Sequence, residues 1–193
     1  MNTKSENSEI QDMVMQKAAE LIAQRGPKRW STAELAKECG LAKNTLYKII
    51  GSKEQLVETI VLDQIDMTTH MLKAIIREED GYMAAAIRMV KDGPAYLSER
   101  PRVMFPEIFL EYPLLGQKAQ KHLETAAAEI LQFMRQGQAE GYIRKDAEPE
   151  FLYDLVRGIV EHYTRSGLKG ASLSSALSKA FKYLREGIRL GDW

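Results

Sequence analysis

The chain has 193 residues, 45% of them hydrophobic, and its 27 basic and 27 acidic side chains give a formal net charge of zero. It is long enough to bury a core without disulfides or metals. A single cysteine, Cys39, excludes an internal disulfide framework and a cysteine-rich zinc site. No apolar run approaches the ~20 residues of a membrane span, and the polar N-terminus lacks a signal peptide's apolar core. We therefore expect a cytoplasmic protein that makes no use of a membrane.

Apolar residues recur with the 3.6-residue period of amphipathic helices along almost the whole chain, and no alternating strand pattern occurs. This pattern predicts an all-α protein of about nine helices. Pro149 fits the first turn of one helix, where its missing N–H costs nothing. We expect Asp92-Gly93-Pro94 to end the helix that starts near Gly81, because proline cannot continue the hydrogen-bond ladder.

Basic residues concentrate in one segment, residues 25–53, which holds seven Lys or Arg and only two Glu, a net charge of +5. The flanking segments are acidic, with −2 for residues 1–24 and −3 for residues 54–193. A basic segment of this kind is typical of nucleic-acid binding, although short basic runs also occur as ordinary solvated surface.

Two short helices are predicted within the basic segment. Ser31 followed by Glu34 forms a capping box that starts one helix at Thr32, and Gly40 suits the left-handed conformation that ends it. A second helix then begins at Ala42 or Lys43, with Leu35, Leu41, Leu46 and Ile49 facing inward. This arrangement is typical of a helix-turn-helix, whose second helix enters the major groove of DNA. An ordinary helical hairpin with a polar outer face has the same spacing.

From Val14 to Leu62 the sequence resembles the DNA-binding domain of the tetracycline-repressor (TetR) family. The shared motifs are Arg25-Gly26, Ser31-x-x-Glu34-Leu35-Ala36, Gly40-Leu41, Lys43-x-Thr45-Leu46-Tyr47 and Gly51-Ser52-Lys53-Glu54-x-Leu56. The resemblance implies a DNA-binding domain over residues 1–52 and a larger helical domain for ligand binding and dimerisation over residues 53–193.

The resemblance also implies roles for individual residues. Lys43, Asn44 and Thr45 would read bases, Tyr47 and Lys48 would contact the DNA backbone, and Thr32 and Lys53 would bind phosphates. Ala42 departs from the family, which usually has Ser or Thr at this position to cap the recognition helix. Losing such a cap costs about 0.5–2 kcal/mol.

Methionines and aromatic residues are frequent after residue 62 and suit an adaptable apolar pocket, although they could equally pack the core. The candidate pocket residues are Met67, Met71, Met83, Met104, Phe105, Phe109, Tyr112 and Met134.

The helix over residues 151–163 carries two adjoining apolar stripes with Gly158 at its centre, where another helix could approach closely. With the last helix it would form half of a four-helix dimer bundle, and the alternative is a central helix buried within one subunit. The candidate interface residues are Leu152, Leu155, Gly158, Ile159, Leu177, Phe181 and Leu184.

No pattern of an enzyme is present, since the three histidines lie far apart and no phosphate loop or nucleophile motif occurs. We therefore expect no catalysis, no cofactor and no metal. The resemblance implies a homodimeric regulator, most simply a repressor, that binds a roughly palindromic double-stranded DNA operator and a small-molecule effector. The alternative is a helical ligand- or partner-binding module with a vestigial helix-turn-helix.

Overall fold

Nine α-helices account for the regular secondary structure of residues 3–98, 103 and 105–188, which the computed structural model describes, with side chains from residue 8 onward. They are α1 (Thr3–Arg25), α2 (Thr32–Glu38), α3 (Lys43–Ile50), α4 (Lys53–Glu78), α5 (Tyr82–Ser98), α6 (Phe105–Glu111), α7 (Pro113–Ala139), α8 (Pro149–Arg165) and α9 (Gly170–Ile188). No strand occurs in these ranges, so the prediction of an all-α fold is confirmed. None of the described helices is long and apolar enough to span a bilayer.

The helices form two compact units. Unit 1 comprises residues 1–65 and 101–122, and unit 2 comprises residues 66–100 and 123–193. Helices α4 and α7 each continue without a break from one unit into the other.

Unit 1 is built on a core in which α1 packs against α2 and α2 against α3. Its most deeply buried side chains are apolar and include Val14, Ala18, Leu35, Leu46, Leu56, Val57, Val61, Ile108 and Ala119. Polar contacts join the later part of this unit to the earlier part. Lys28 forms an ion pair with Glu111 of α6, and the Lys118 Nζ lies 2.9 Å from a carboxylate oxygen of Glu58.

Unit 2 contains two apolar clusters. One joins Ile75, Tyr82, Ala85, Phe133, Ile143 and Leu152, and the other joins Leu97, Leu173 and Leu177. The Tyr82 ring stacks on Phe133 with centroids 4.6 Å apart and on Tyr142 at 5.4 Å. Gly137 lies directly beneath this ring, and a Cβ there would approach the ring to 2.4 Å. Helix α9 packs against both α5 and α8.

Helix α5 shows that the predicted break at Pro94 was wrong, because the helix continues through this proline to Ser98. Proline removes one hydrogen bond from the ladder, but its side chain is fully buried here, and neighbouring Gly93 is buried too. Tertiary packing of this stretch outweighs the lost hydrogen bond. Pro149 lies in the first turn of α8, as predicted.

Candidate nucleic-acid interface

Helix α2 begins where the sequence predicts. The Ser31 hydroxyl accepts a hydrogen bond of 3.1 Å from the backbone N–H of Glu34, which satisfies one of the free donors of the first turn. The Glu34 carboxylate turns mainly to Arg25, whose guanidinium lies 2.5 Å away. This hydrogen bond is the chief reason that the pKa of Glu34 lies below its ordinary value. The Ser31 cap therefore fixes the start of α2, and the pair of Glu34 with Arg25 ties this start to the end of α1.

The turn after α2 forms a Schellman motif. Gly40 has a φ of +65°, its N–H donates to the Lys37 carbonyl, and the Leu41 N–H donates to the Ala36 carbonyl. Only glycine adopts this conformation without steric cost, so the turn has the geometry that the sequence predicted.

Helix α3 has a buried and an exposed side. Leu46 is fully buried, as predicted, whereas Ile49 is half-buried and Ile50 is buried in its place. Leu46 and Ile50 are four residues apart and share one face of the helix, so Ile49 lies at its border. The exposed side carries every side chain that the sequence assigned to DNA on this helix: Lys43, Asn44, Thr45, Tyr47 and Lys48.

Tyr47 connects α3 to the start of α2. Its phenol oxygen lies 2.8 Å from the Thr32 hydroxyl, and the Lys43 ammonium stands 5.9 Å from the centre of its ring. Three of the side chains assigned to DNA by sequence are thus brought together. Because the hydroxyl groups and the ammonium are all hydrogen-bond donors, this group is suited to phosphate oxygens.

Lys53 has a different environment from the lysines of α3. Its ammonium donates to the carbonyls of Trp30 (2.7 Å) and Lys28 (3.2 Å) and lies 4.3 Å from the centre of the Trp30 indole ring. Partial burial lowers the pKa of Lys53. These contacts use two of its three N–H donors, and Trp30 itself is buried.

Several cations of the basic segment have no carboxylate partner among the described side chains: Arg29, Lys37, Lys43 and Lys48. All four are exposed. Sequence reasoning did not single out Arg29 and Lys37, because only ion pairing in the fold distinguishes them from Arg25 and Lys28, which are neutralised by Glu34 and Glu111. The unneutralised charge is what a polyanion would meet.

Two further residues fit the interpretation of their sequence positions. Ala42 occupies the N-cap of α3 and makes no side-chain cap. Cys39 is buried at the end of α2, and burial raises the pKa of its thiol. A buried thiol with a raised pKa is a poor nucleophile, so Cys39 serves as a small apolar filler.

The residues predicted for a ligand pocket are distributed over both units. In unit 1, Phe105 and Phe109 stack on α6 at 5.6 Å, and Tyr112 is half-buried just after that helix. In unit 2, Met71 and Met134 pack against the larger apolar cluster, and half-buried Met67 accepts a hydrogen bond at its backbone carbonyl from the Tyr96 hydroxyl. Met83 lines a cavity of about 320 Å³. Met104 lies outside the described residues.

The residues predicted for the dimer interface differ in burial. Leu152 and Leu177 lie inside the apolar clusters of unit 2, and Ile159 and Phe181 are half-buried against the smaller one. Leu184 is half-buried, Gly158 is exposed, and Leu155 is 38% exposed. Large apolar side chains that the sequence interpretation left out are also exposed on α8 and α9, namely Phe151 and Tyr183, each at 60%. Helix α8 is therefore not a central helix buried within the chain.

No group of three or more His, Cys, Asp or Glu side chains suited to a metal ion occurs in the part of the chain that the structure describes.

Comparison with known proteins relates the sequence to one family. Residues 14–60 match the family model described as bacterial regulatory proteins, tetR family. The HTH-type transcriptional repressor KstR2 of Mycolicibacterium smegmatis is 25% identical over 173 residues, which cover 81% of this chain and 78% of that protein.

Among solved structures, the TetR family transcriptional regulator PfmR from Thermus thermophilus superimposes with a TM-score of 0.75 at 18% identity, covering 93% of this chain and 99% of PfmR. The transcriptional regulator FadR from Bacillus subtilis, solved in complex with stearoyl-CoA, superimposes with a TM-score of 0.70 at 15% identity, covering 92% of this chain and 99% of FadR. At these identities the structural similarity establishes the fold.

Proposed function

We propose that this chain, whose residues 14–60 match the family model of the tetR bacterial regulatory proteins, is a homodimeric repressor whose affinity for an inverted-repeat DNA operator changes when a small molecule binds. The observation that carries this proposal is the exposed side of α3, which presents five polar or cationic side chains, while buried Leu46 anchors the opposite side of the helix in the core. The similarity to a transcriptional repressor over 81% of the chain supports repression rather than activation.

On this proposal α3 lies in the major groove. The N-terminal residues of a recognition helix are the ones that reach base edges. In α3 these residues are Lys43, Asn44 and Thr45, which contact the bases. Tyr47 and Thr32, already joined by a hydrogen bond, contact one phosphate group, and Lys48 and the remaining N–H of Lys53 contact others. Phosphate contacts would fix the register of the helix on DNA, and base contacts would select the sequence.

The dimer forms through α8 and α9. Phe151, Leu155 and Tyr183 expose apolar surface that a second copy would cover, and Gly158 has no atom of its own chain within 4 Å of the position of a Cβ. A two-fold dimer places two copies of α3 in successive major grooves, about 34–36 Å apart. The operator is therefore expected to be an inverted repeat.

Helices α4 and α7 provide the route from effector to DNA, because each runs uninterrupted through both units. An effector that prefers one arrangement of unit 2 would shift α4 and with it the spacing of the two recognition helices. The change in operator affinity cannot exceed the preference of the effector for one arrangement over the other.

Selection of bound duplexes from a random pool, at two salt concentrations, tests the proposal. We expect an enriched inverted repeat whose affinity falls steeply with salt, by about 0.9 log units per phosphate contact for each tenfold change in salt. Enrichment of a single half-site would contradict the dimeric arrangement. No enrichment by folded protein, with and without small molecules from its host's extract, would favour the vestigial module.

A further inference from the structure

Unit 2 contains a cavity that the proposed DNA contacts do not use. It has a volume of about 320 Å³ and lies between the N-terminal part of α5, the C-terminal part of α9 and the turn that follows α7. Its lining is mostly apolar or aromatic and consists of Tyr82, Met83, Ala86, Ile87, Tyr142, Ile143, Arg185 and Ile188. This volume is in the range of pockets that hold small organic molecules.

Arg185 is the one charged residue in this lining. Its Nε is buried and has no hydrogen-bond partner. The carboxylate next to it in sequence, Glu186, faces Lys182 at 3.9 Å. Arg185 as a whole is only half-buried, and the other N–H groups of its guanidinium remain the donors available to a molecule in the cavity. Guanidinium N–H groups pair best with carboxylate or phosphate oxygens.

The rest of the cavity has the opposite character. The stacked rings of Tyr82 and Tyr142 and the aliphatic side chains of Ile87 and Ile188 are part of the lining. Burial raises the pKa of Tyr82 to about 12, so its phenol stays neutral and adds no negative charge beside Arg185.

Two features hold the walls in place before any ligand arrives. The backbone N–H of Arg144 donates a hydrogen bond of 3.0 Å to the backbone carbonyl of Ile188, and this bond ties the turn after α7 to the last residue of α9. Gly137 allows the Tyr82 ring to pack directly against α7. A cavity fixed in this way loses little entropy when it binds.

We propose that this cavity binds an apolar molecule with a single anionic head group, whose head pairs with Arg185 and whose apolar body lies against Tyr82, Tyr142 and Ile87. The role of this cavity as the effector site rests on the proposed function. Binding of the molecule to the cavity does not depend on DNA and is measured in its absence.

Isothermal titration with decanoate and with its neutral analogue 1-decanol tests the proposal on the full-length chain. We expect decanoate to bind at least tenfold more tightly than decanol. The variant Arg185→Gln should weaken decanoate binding by roughly tenfold to a hundredfold, the worth of a hydrogen bond to a charged group, and leave decanol binding unchanged. Lys179→Gln removes an exposed charge from the same helix and should leave both affinities unchanged.

Ala86→Phe provides a second variant that keeps the arginine but fills the cavity, and it should abolish binding of both probes. Equal affinity for decanoate and decanol in the unaltered chain, or decanoate binding that survives Ala86→Phe in a protein with unchanged helical content, would overturn the proposal. Adding decanoate to the selected duplex is a separate step. If it binds without altering DNA affinity, the site stands and its effector role fails.

Discussion

Helices α3 and α8 both expose one side to solvent, but the exposed sides have opposite chemistry. Helix α3 presents lysines, an asparagine, a threonine and a tyrosine hydroxyl, whereas α8 presents the large apolar side chains of Phe151 and Leu155, with Asp154 between them, beside exposed Gly158. Cations and hydrogen-bond donors suit a polyanion, which supplies charge and acceptors. Apolar side chains around a glycine suit another helix, because close approach removes them from water.

The contrast also separates what each helix contributes to stability. Helix α3 is short and depends on Leu46 to hold it in unit 1, while α8 is long and buries only Leu152 completely. An exposed residue on either helix can therefore be changed with little effect on the stability of the single chain. A change in binding then measures the contact of that residue with DNA, for α3, or with a second copy, for α8.

The largest expected effect is on the inner side of α3. Leu46→Ala removes a side chain that is 0% exposed and should lower the free energy of unfolding by about 2–5 kcal/mol. Denaturant unfolding measures this change, with Thr45→Ala on the exposed side as the control, expected within about 0.5 kcal/mol. Equal losses for both variants would mean that α3 is not anchored through Leu46.

Leu155 of α8 is partly exposed, so we expect its replacement to affect dimer association and not the stability of the single chain. Leu155→Glu changes a side chain that is 38% exposed and should leave the stability of the isolated chain within about 0.5 kcal/mol. If a second copy covers α8, the buried glutamate should weaken dimer association roughly thirtyfold or more. Sedimentation over a range of protein concentrations measures it, and unchanged association would place the dimer elsewhere.

Gly158→Ala tests the centre of the same face. Within one chain the added Cβ has open space, so α8 should gain up to about 1 kcal/mol of helix propensity. A partner helix packed against Gly158 would meet that Cβ, and the dimer should then weaken although the single chain is stabilised. Association that strengthens together with stability would show that no helix approaches there.

The smallest effect concerns the start of α3. Ala42→Ser should supply the side-chain cap that this N-cap position lacks and raise the free energy of unfolding by about 1 kcal/mol. Thermal unfolding of the variant beside the unaltered chain measures the gain. A loss of stability would mean that the Ser hydroxyl does not reach the free N–H groups of the first turn.

The helix-turn-helix could be predicted from the sequence because its signals are local. Ser31 and Gly40 act through hydrogen bonds and backbone geometry within a few residues, and both adopt the predicted arrangement. Glu34 differs, because its carboxylate turns mainly to Arg25, nine residues earlier. The error at Pro94 has the opposite cause, since that proline stays in a helix through burial by distant parts of the chain.

The cavity of unit 2 could not be found from the sequence for the same reason. Its lining comes from α5, a turn and the end of α9, and the abundant methionines point to it only through Met83. Arg185 was overlooked because its place in the lining depends on tertiary packing. Helix α9 carries several other charged side chains, and nothing in the sequence distinguishes this one from them.

The most direct test of the central claim, that α3 binds DNA, compares two exposed lysines, Lys48 of α3 and Lys91 of α5, on the selected duplex across a range of salt concentrations. Lys48→Ala should weaken binding and reduce the slope of log affinity against log salt by about 0.9, the loss of one phosphate contact. Lys91→Ala should leave both affinity and slope unchanged. If the two variants behave alike, or if Lys91→Ala alone reduces the slope, α3 does not bind DNA as described.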